Sequence, residues 1–184
     1  MTELRGDRVL LRGFRPDEVS LALDRMQTIP ATDLDEAAVR ERRERIERSG
    51  QTIGWEILLA VEAEGRLVGD VQGRCPRFAM PRGVWELGIE LWDRADRGRG
   101  IGRETVALLS SYLFGREDAI RVQVTTDVEN GAMRRVLEVL GFGLEGVLRG
   151  FMPDPTGTPR DYAMYGMTRP DWKNAVRNGW MPTS

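Results

Sequence analysis

No histidine occurs among the 184 residues of this chain. That excludes Ser-His and Cys-His nucleophile pairs, a histidine general base and histidine-containing zinc sites, so acid-base chemistry falls to carboxylates, tyrosine or water. Cysteine is nearly as scarce: Cys75 stands alone and cannot form an internal disulfide. Placed before Pro76 with no base partner, it reads as a packed thiol. Lysine occurs once, at Lys173, and the other basic residues of the 27 are arginine. They are interleaved with 29 acidic residues to a net charge of -2, which gives nucleic-acid binding no support. No apolar run approaches the roughly 20 residues that span a bilayer. The start, Met1 to Asp7, does not follow the basic, apolar, small-residue order of a secretory signal. The expectation is a cytoplasmic protein with no membrane, nucleic-acid or metal partner.

The length suits one compact domain over residues 1–184, and 41% hydrophobic with 30% charged residues is ordinary for a globular chain. Val9-Leu10-Leu11 reads as a strand, and Pro16 sits where a helix can begin, with Val19, Ala22, Leu23 and Met26 at helical spacing. Thr28 to Asp33 reads as a loop, followed by a helix from Asp35 to Ser49 closed by Gly50. Along that helix Glu36-Arg40, Glu41-Arg45 and Glu44-Arg48 are spaced i to i+4, the pattern of a solvated face. Strands are expected at Trp55 to Glu62 and Leu67 to Gln72, joined by a turn at Glu64-Gly65, and at Val84 to Trp92 and Arg121 to Thr125. Helices are expected from Ile101 to about Gly115 and from Ala132 to Leu140, with a closing strand pair around Leu144–Leu148 and Tyr162–Met167. The fold class is mixed α/β (α+β) around one sheet.

The run from Val84 to Arg103 is a strand followed by a glycine-rich turn that opens a helix. Such a turn aims backbone N-H groups and the positive end of a helix dipole at one spot, a site for phosphate oxygens. The glycines at 98, 100 and 102 are spaced G-x-G-x-G after several strands, unlike the G-x-G-x-x-G of a dinucleotide fold, and no G-K-[S/T] follows as in a P-loop.

Arg97-Gly98-Arg99-Gly100-Ile101-Gly102 resembles the [Q/R]-x-x-G-x-[G/A] signature of GNAT acetyltransferases, and Asn130-Gly131-Ala132-Met133-Arg134-Arg135-Val136-Leu137-Glu138-Val139-Leu140-Gly141-Phe142 resembles their second motif. Glu145-Gly146-Val147-Leu148-Arg149 and Arg160-Asp161-Tyr162-Ala163-Met164-Tyr165 are similar to the ribosomal-protein-alanine branch. The resemblance implies the GNAT fold, one mixed and mostly antiparallel sheet flanked by helices, and acetyl-CoA as cosubstrate. It implies that Glu90-Leu91-Trp92 pairs its backbone with the pantetheine arm, that Arg97, Gly98, Arg99, Gly100, Ile101, Gly102 and Arg103 hold the pyrophosphate, and that Asn130 lies near the acetyl end. Asparagine is equally a helix cap.

GNAT enzymes let the amine attack the thioester directly, with a backbone N-H near Leu91 or Trp92 as the implied oxyanion donor. Glu86, Gly88, Glu90 and Trp92 alternate onto one face of the strand, so Glu86 or Glu90 could take the ammonium proton, or could pair with arginine. The family's frequent tyrosine acid matches Leu137 here, and Met133 stands at its usual serine. An α-amine costs about 1.4 kcal/mol to deprotonate at pH 7 against more than about 4.5 kcal/mol for lysine, which favours a protein N-terminus or a low-pKa small amine as acceptor. Asp161 and Tyr162 could line the acceptor site or hold a hairpin. A small-molecule acetyltransferase and a non-catalytic acyl-CoA-binding module stay open, as does a homodimer.

Overall fold

Near-continuous burial across the middle strands, rather than strict alternation, marks a sheet covered on both faces. The computed structural model describes residues 1–26, 35–75 and 81–182, so the loop expected from Thr28 to Asp33 lies outside the described residues. In chain order the elements are β1 (Leu4–Arg5), β2 (Val9–Arg12), α1 (Val19–Arg25, entered through a 3-10 turn at Pro16–Glu18), α2 (Glu36–Glu47) and β3 (Thr52–Ile53). They continue with β4 (Glu56–Ala63), β5 (Arg66–Arg74), β6 (Val84–Leu91), α3 (Ile101–Arg116) and β7 (Arg121–Asp127). The chain closes with α4 (Gly131–Val139), β8 (Gly143–Pro153), β9 (Pro159–Thr168) and α5 (Arg169–Arg177).

All nine strands form one sheet in the order β1-β2-β4-β5-β6-β7-β9-β8, with β3 beside β4. Every pairing is antiparallel except β6 with β7. Glu64 and Gly65, at φ 53 and 73, make the tight turn between β4 and β5, where left-handed backbone matches the twist of the strands. One face is covered by α3, whose Ile101, Leu109, Leu113 and Phe114 are fully buried with Leu59, Val61, Val71 and Leu87 of the strands. The other face holds a smaller cluster, in which Val19, Ala22 and Met26 of the first helical segment and Ile46 of α2 meet Phe14, Leu58 and Ala60.

Three elements differ from the sequence reading by being additional to it. β1 and β3 are two residues each, too short to show a period. α5 begins at a capping box, Thr168 with Asp171 and Pro170 in the first turn, a signal present in the sequence. The solvated face expected on α2 is only partly so. Arg45 leaves its i to i+4 neighbour Glu41 and reaches across to Glu56 of β4 and Gln72 of β5, while Arg48 turns back to the Glu44 carbonyl.

Candidate active site

β6 and β7 are paired only at Val84–Arg121, Trp85–Val122 and Glu86–Gln123. On its other side β6 stays in register with β5 from Glu86–Arg74 to Leu91–Gly69. The Trp92 N-H is bonded to the Val68 carbonyl at 3.1 Å, and the alternation of an antiparallel ladder therefore directs Glu86, Gly88 and Glu90 toward β5. The same alternation turns the backbone of Ile89 and Leu91 toward the side from which β7 has diverged. This leaves a strand edge of the kind an extended ligand can pair with.

The edge runs into the turn before α3. Gly98 and Gly100 have φ of 73 and 85, a left-handed backbone that favours glycine. Gly100 is the N-cap of α3 and supplies no side-chain cap, so the N-H groups of the first turn point into the turn without a side-chain acceptor. A Cβ built on Gly98 or Gly100 meets no atom beyond its chain neighbours within 4 Å, so the turn borders open space at both positions. Positive dipole, first-turn amides without a side-chain cap and open space fit an anion such as a diphosphate.

Edge and turn line one cavity of about 530 Å³ whose walls include Glu90, Leu91, Gly98, Gly102, Arg103 and Asn130. A second cavity of about 810 Å³ adjoins it through Gly100, Arg103 and Val139 and adds Arg5, Arg8 and Arg99.

A family profile described as an acetyltransferase (GNAT) domain matches residues 8–143, which include the splayed strand, the turn and all of α4. The chain is a GNAT acetyltransferase. The N-acetyltransferase YoaA of Bacillus subtilis (strain 168) is 33% identical over 85 residues, 46% of this chain and 47% of that protein, so the chain matches about half the length of that relative. Among solved structures, RimJ of Mycobacterium smegmatis in complex with CoA-disulfide is similar at 19% identity, with 97% of this chain and 93% of that one covered and a TM-score of 0.71. The ribosomal-protein-S5-alanine acetyltransferase of Vibrio fischeri aligns at 17% identity over 94% of this chain and 99% of that one, with a TM-score of 0.73. At these identities the two structures establish the shared fold.

Within this GNAT domain the residues singled out in the sequence fall into three groups. Glu90, Leu91, Arg97, Gly98, Gly100, Gly102, Arg103 and Asn130 all line the cavity. Arg97 also donates to the Leu91 carbonyl at 3.2 Å, tying the turn to the strand edge. Asn130 accepts from the Met133 N-H at 3.1 Å and so caps α4 while facing the cavity.

Ile101, Arg99, Trp92 and Glu86 are committed elsewhere. Ile101 is a core residue whose contribution to the turn is its backbone. Arg99 pairs with Glu64 and Asp96. Trp92 turns its ring to the α1 face, stacked on Phe14 with centroids 6.5 Å apart, and its N-H is taken by Val68. Of the two amides implied as oxyanion donors, Leu91 is therefore the one directed at the splay. Glu86 lies at the last paired position of β6 and is bonded to Arg74 at 3.3 Å.

Asp161 and Tyr162 sit on β9, away from the cavity walls. Asp161 accepts from the Gly150 N-H at 2.8 Å within the β8-β9 hairpin, and Tyr162 packs its ring against Phe151. Leu137 is fully buried in the core, so α4 brings no hydroxyl to the site. Cys75 is buried, with its Sγ 3.7 Å from the Pro81 carbonyl.

One functional candidate was not singled out from the sequence. Asp70 on β5 is 4% exposed and faces Glu90 in register. Burial and the Glu90 charge push its carboxyl up to about 6, against the indole N-H of Trp92, which bonds Oδ1 at 3.0 Å and pulls the other way. The signal available in the sequence was an aspartate inside an otherwise apolar and glycine-rich strand, Leu67-Val68-Gly69-Asp70-Val71.

Proposed function

We propose that this GNAT enzyme transfers acetyl from acetyl-CoA to a primary amine, with a protein N-terminal α-amine as the favoured acceptor and Glu90 as the proton acceptor. The carrying observation is that the edge of β6 left open by β7, the start of α3 without a side-chain cap and Glu90 border one cavity. The first-turn amides and Arg103 are placed to hold a diphosphate, and the Ile89–Leu91 edge to bond an amide-bearing arm. The Leu91 N-H would then donate to the thioester carbonyl oxygen at the splay, where such a donor is worth on the order of 3 kcal/mol.

Glu90 takes the proton that an ammonium must lose before its nitrogen can attack. The C–N bond forms as the C–S bond breaks, and the thiolate leaves or picks up a proton from water, since a thiol has a pKa of roughly 8.5. Glu90 is favoured over Glu86 because Glu90 lines the cavity, whereas Glu86 lies where β6 and β7 are still closed. The α-amine is favoured because it is about one pKa unit from neutrality, and with no tyrosine at position 137 the site holds fewer groups to strip a lysine. The reading treats residues 1–184 as one acetyltransferase domain acting in the cytoplasm, where an unpaired buried Cys75 is stable.

The test is release of CoA thiol from acetyl-CoA with a panel of N-terminal peptides, polyamines, amino-acid amides and lysine peptides. Turnover on N-terminal peptides is expected. Turnover restricted to small amines would replace the acceptor, and no turnover on any amine by a protein that binds CoA would replace catalysis with binding alone.

A further inference from the structure

Asp70 is a buried carboxyl that the reaction as drawn does not use. It lies on the α1/α2 face of β5, opposite Glu90 on β6, with Ala60 of β4 on its other side. Its Oδ1 holds the indole N-H of Trp92, the first residue after β6, and Trp92 stacks on Phe14 within the smaller apolar cluster. Val19, Ala22 and Met26 face this region from the α1 side and carry no charge. From α2 come Arg45, bonded to Glu56 and Gln72, and Arg42, both acting on Asp70 through space. From β6 comes Glu90. Buried carboxylates are hydrogen-bonded and charge-paired as a rule; Asp70 takes its hydrogen bond from a neutral indole, with Glu90 opposing its ionisation and Arg45 and Arg42 favouring it.

We propose that Asp70 is a positioning residue for acetyl transfer: set opposite Glu90 and tied to the Trp92 indole, it raises the proton affinity of Glu90 and fixes the end of the strand on which the thioester lies. The inference rests on the reading of Glu90 as proton acceptor. Carboxyls that interact strongly titrate as a pair, the ionised member making the other a stronger base. Ordinary glutamate is a weak base for an ammonium at neutral pH, and a neighbouring buried negative charge is a direct way to strengthen it. The second effect is mechanical. Trp92 directly follows Leu91, so the indole bond sets how the last turn of the strand edge meets the cavity.

The experiment follows carboxyl carbons by NMR in full-length, CoA-bound protein labelled at the Asp and Glu side chains, with Glu90→Gln assigning the Glu90 signal. Asp70→Asn keeps an oxygen for Trp92 and removes the charge. Trp92→Phe keeps the ring on Phe14 and removes the N-H that favours ionised Asp70. The expected result is a Glu90 midpoint at least half a pH unit lower in Asp70→Asn, and a shift of the Asp70 midpoint to higher pH in Trp92→Phe. The acid limb of kcat/KM for an N-terminal peptide should move down with Glu90 in Asp70→Asn. A Glu90 midpoint that stays put in a folded Asp70→Asn protein overturns the inference. If Asp70→Asn does not fold, an unmoved Asp70 midpoint in Trp92→Phe overturns it instead. An acid limb that survives in Glu90→Gln overturns the reading of Glu90 as base and leaves the measured coupling of the two carboxyls standing, so the two failures are separable.

Discussion

Glu86 and Gln123 are the last partners that β6 and β7 share; beyond them β6 runs on to Leu91 and β7 to Asp127 without pairing to each other. A parallel pair that opens after three residues exposes backbone donors and acceptors that a continuous sheet would bond. The unpaired length of β6 then passes through Arg94–Asp96 into the glycine turn, so strand edge and helix start face one volume.

Gly100→Ala is expected to weaken CoA binding at least tenfold while the protein stays folded. Gly100 holds φ 85, a conformation costing a side-chain-bearing residue about 1–2 kcal/mol, so the methyl strains the backbone of the turn that lines the cavity. Titration calorimetry with CoA, with circular dichroism as control, measures it; unchanged affinity would move the phosphate site elsewhere.

Glu90→Gln should lower kcat by roughly 10²-fold to 10⁴-fold with little change in CoA affinity, the range ordinary for loss of a general base. Glu86→Gln should change kcat by less than about tenfold, because its present partner is Arg74. Equal effects from the two substitutions would place the base at neither residue in particular.

Stability should fall as pH rises through about 6, owing to Asp70. Its carboxyl is pushed up to about 6 in the fold, first by burial and then by Glu90, against about 3.9 in an unfolded chain. A folded pKa above the unfolded one gives a contribution that is complete below about pH 4 and gone above about pH 6. Thermal unfolding of Asp70→Asn should therefore match wild type near pH 4 and exceed it at pH 8, by on the order of 2 kcal/mol. Parallel curves at both pH values would count against the buried charge.

Glu18→Gln should cost about 2 kcal/mol at pH 7. Glu18 and Glu62 both bond the Arg12 guanidinium, which is 5% exposed, so removing one carboxylate leaves a buried cation half compensated. Burial acts to raise the Glu18 carboxyl, but the Arg12 bond and the hydrogen bond accepted from the Arg15 N-H outweigh it and hold it below the usual range. The stability it supplies is thus present above about pH 4.3 and lost as pH falls through its folded value, so chemical denaturation should show the variant and wild type converging toward pH 3.

Leu137→Ala should destabilise by about 2–5 kcal/mol, because Leu137 is fully buried between α4 and the sheet. Its effect on kcat should be no larger than the loss of folded protein explains, which activity normalised to the folded fraction would check.

The strands β2 and β4 to β9, the helices α1 to α4 and the glycine turn were legible in the sequence, because each rests on a local signal: a period, a cap, or glycines at fixed spacing. The loop from Thr28 to Asp33 falls outside the described residues. Several roles could not be read locally. Glu86 and Glu90 share one face of one strand, and only the point at which β7 departs separates the one beside the closed pairing from the one on the cavity. Leu91 and Trp92 are adjacent amides, and only the bond to Val68 decides which of them faces the splay. Asp70 was unremarkable until β6 and Trp92 closed over it.

The sequence by itself determined that this chain folds as a mixed sheet with an amide-lined turn, and that its chemistry must do without histidine. Tertiary structure alone decided which carboxylate stands at the cavity and which aspartate stands behind it. Register, burial and strand divergence are relations between segments distant in the chain, and no local spacing encodes the dielectric or the neighbours a side chain will meet.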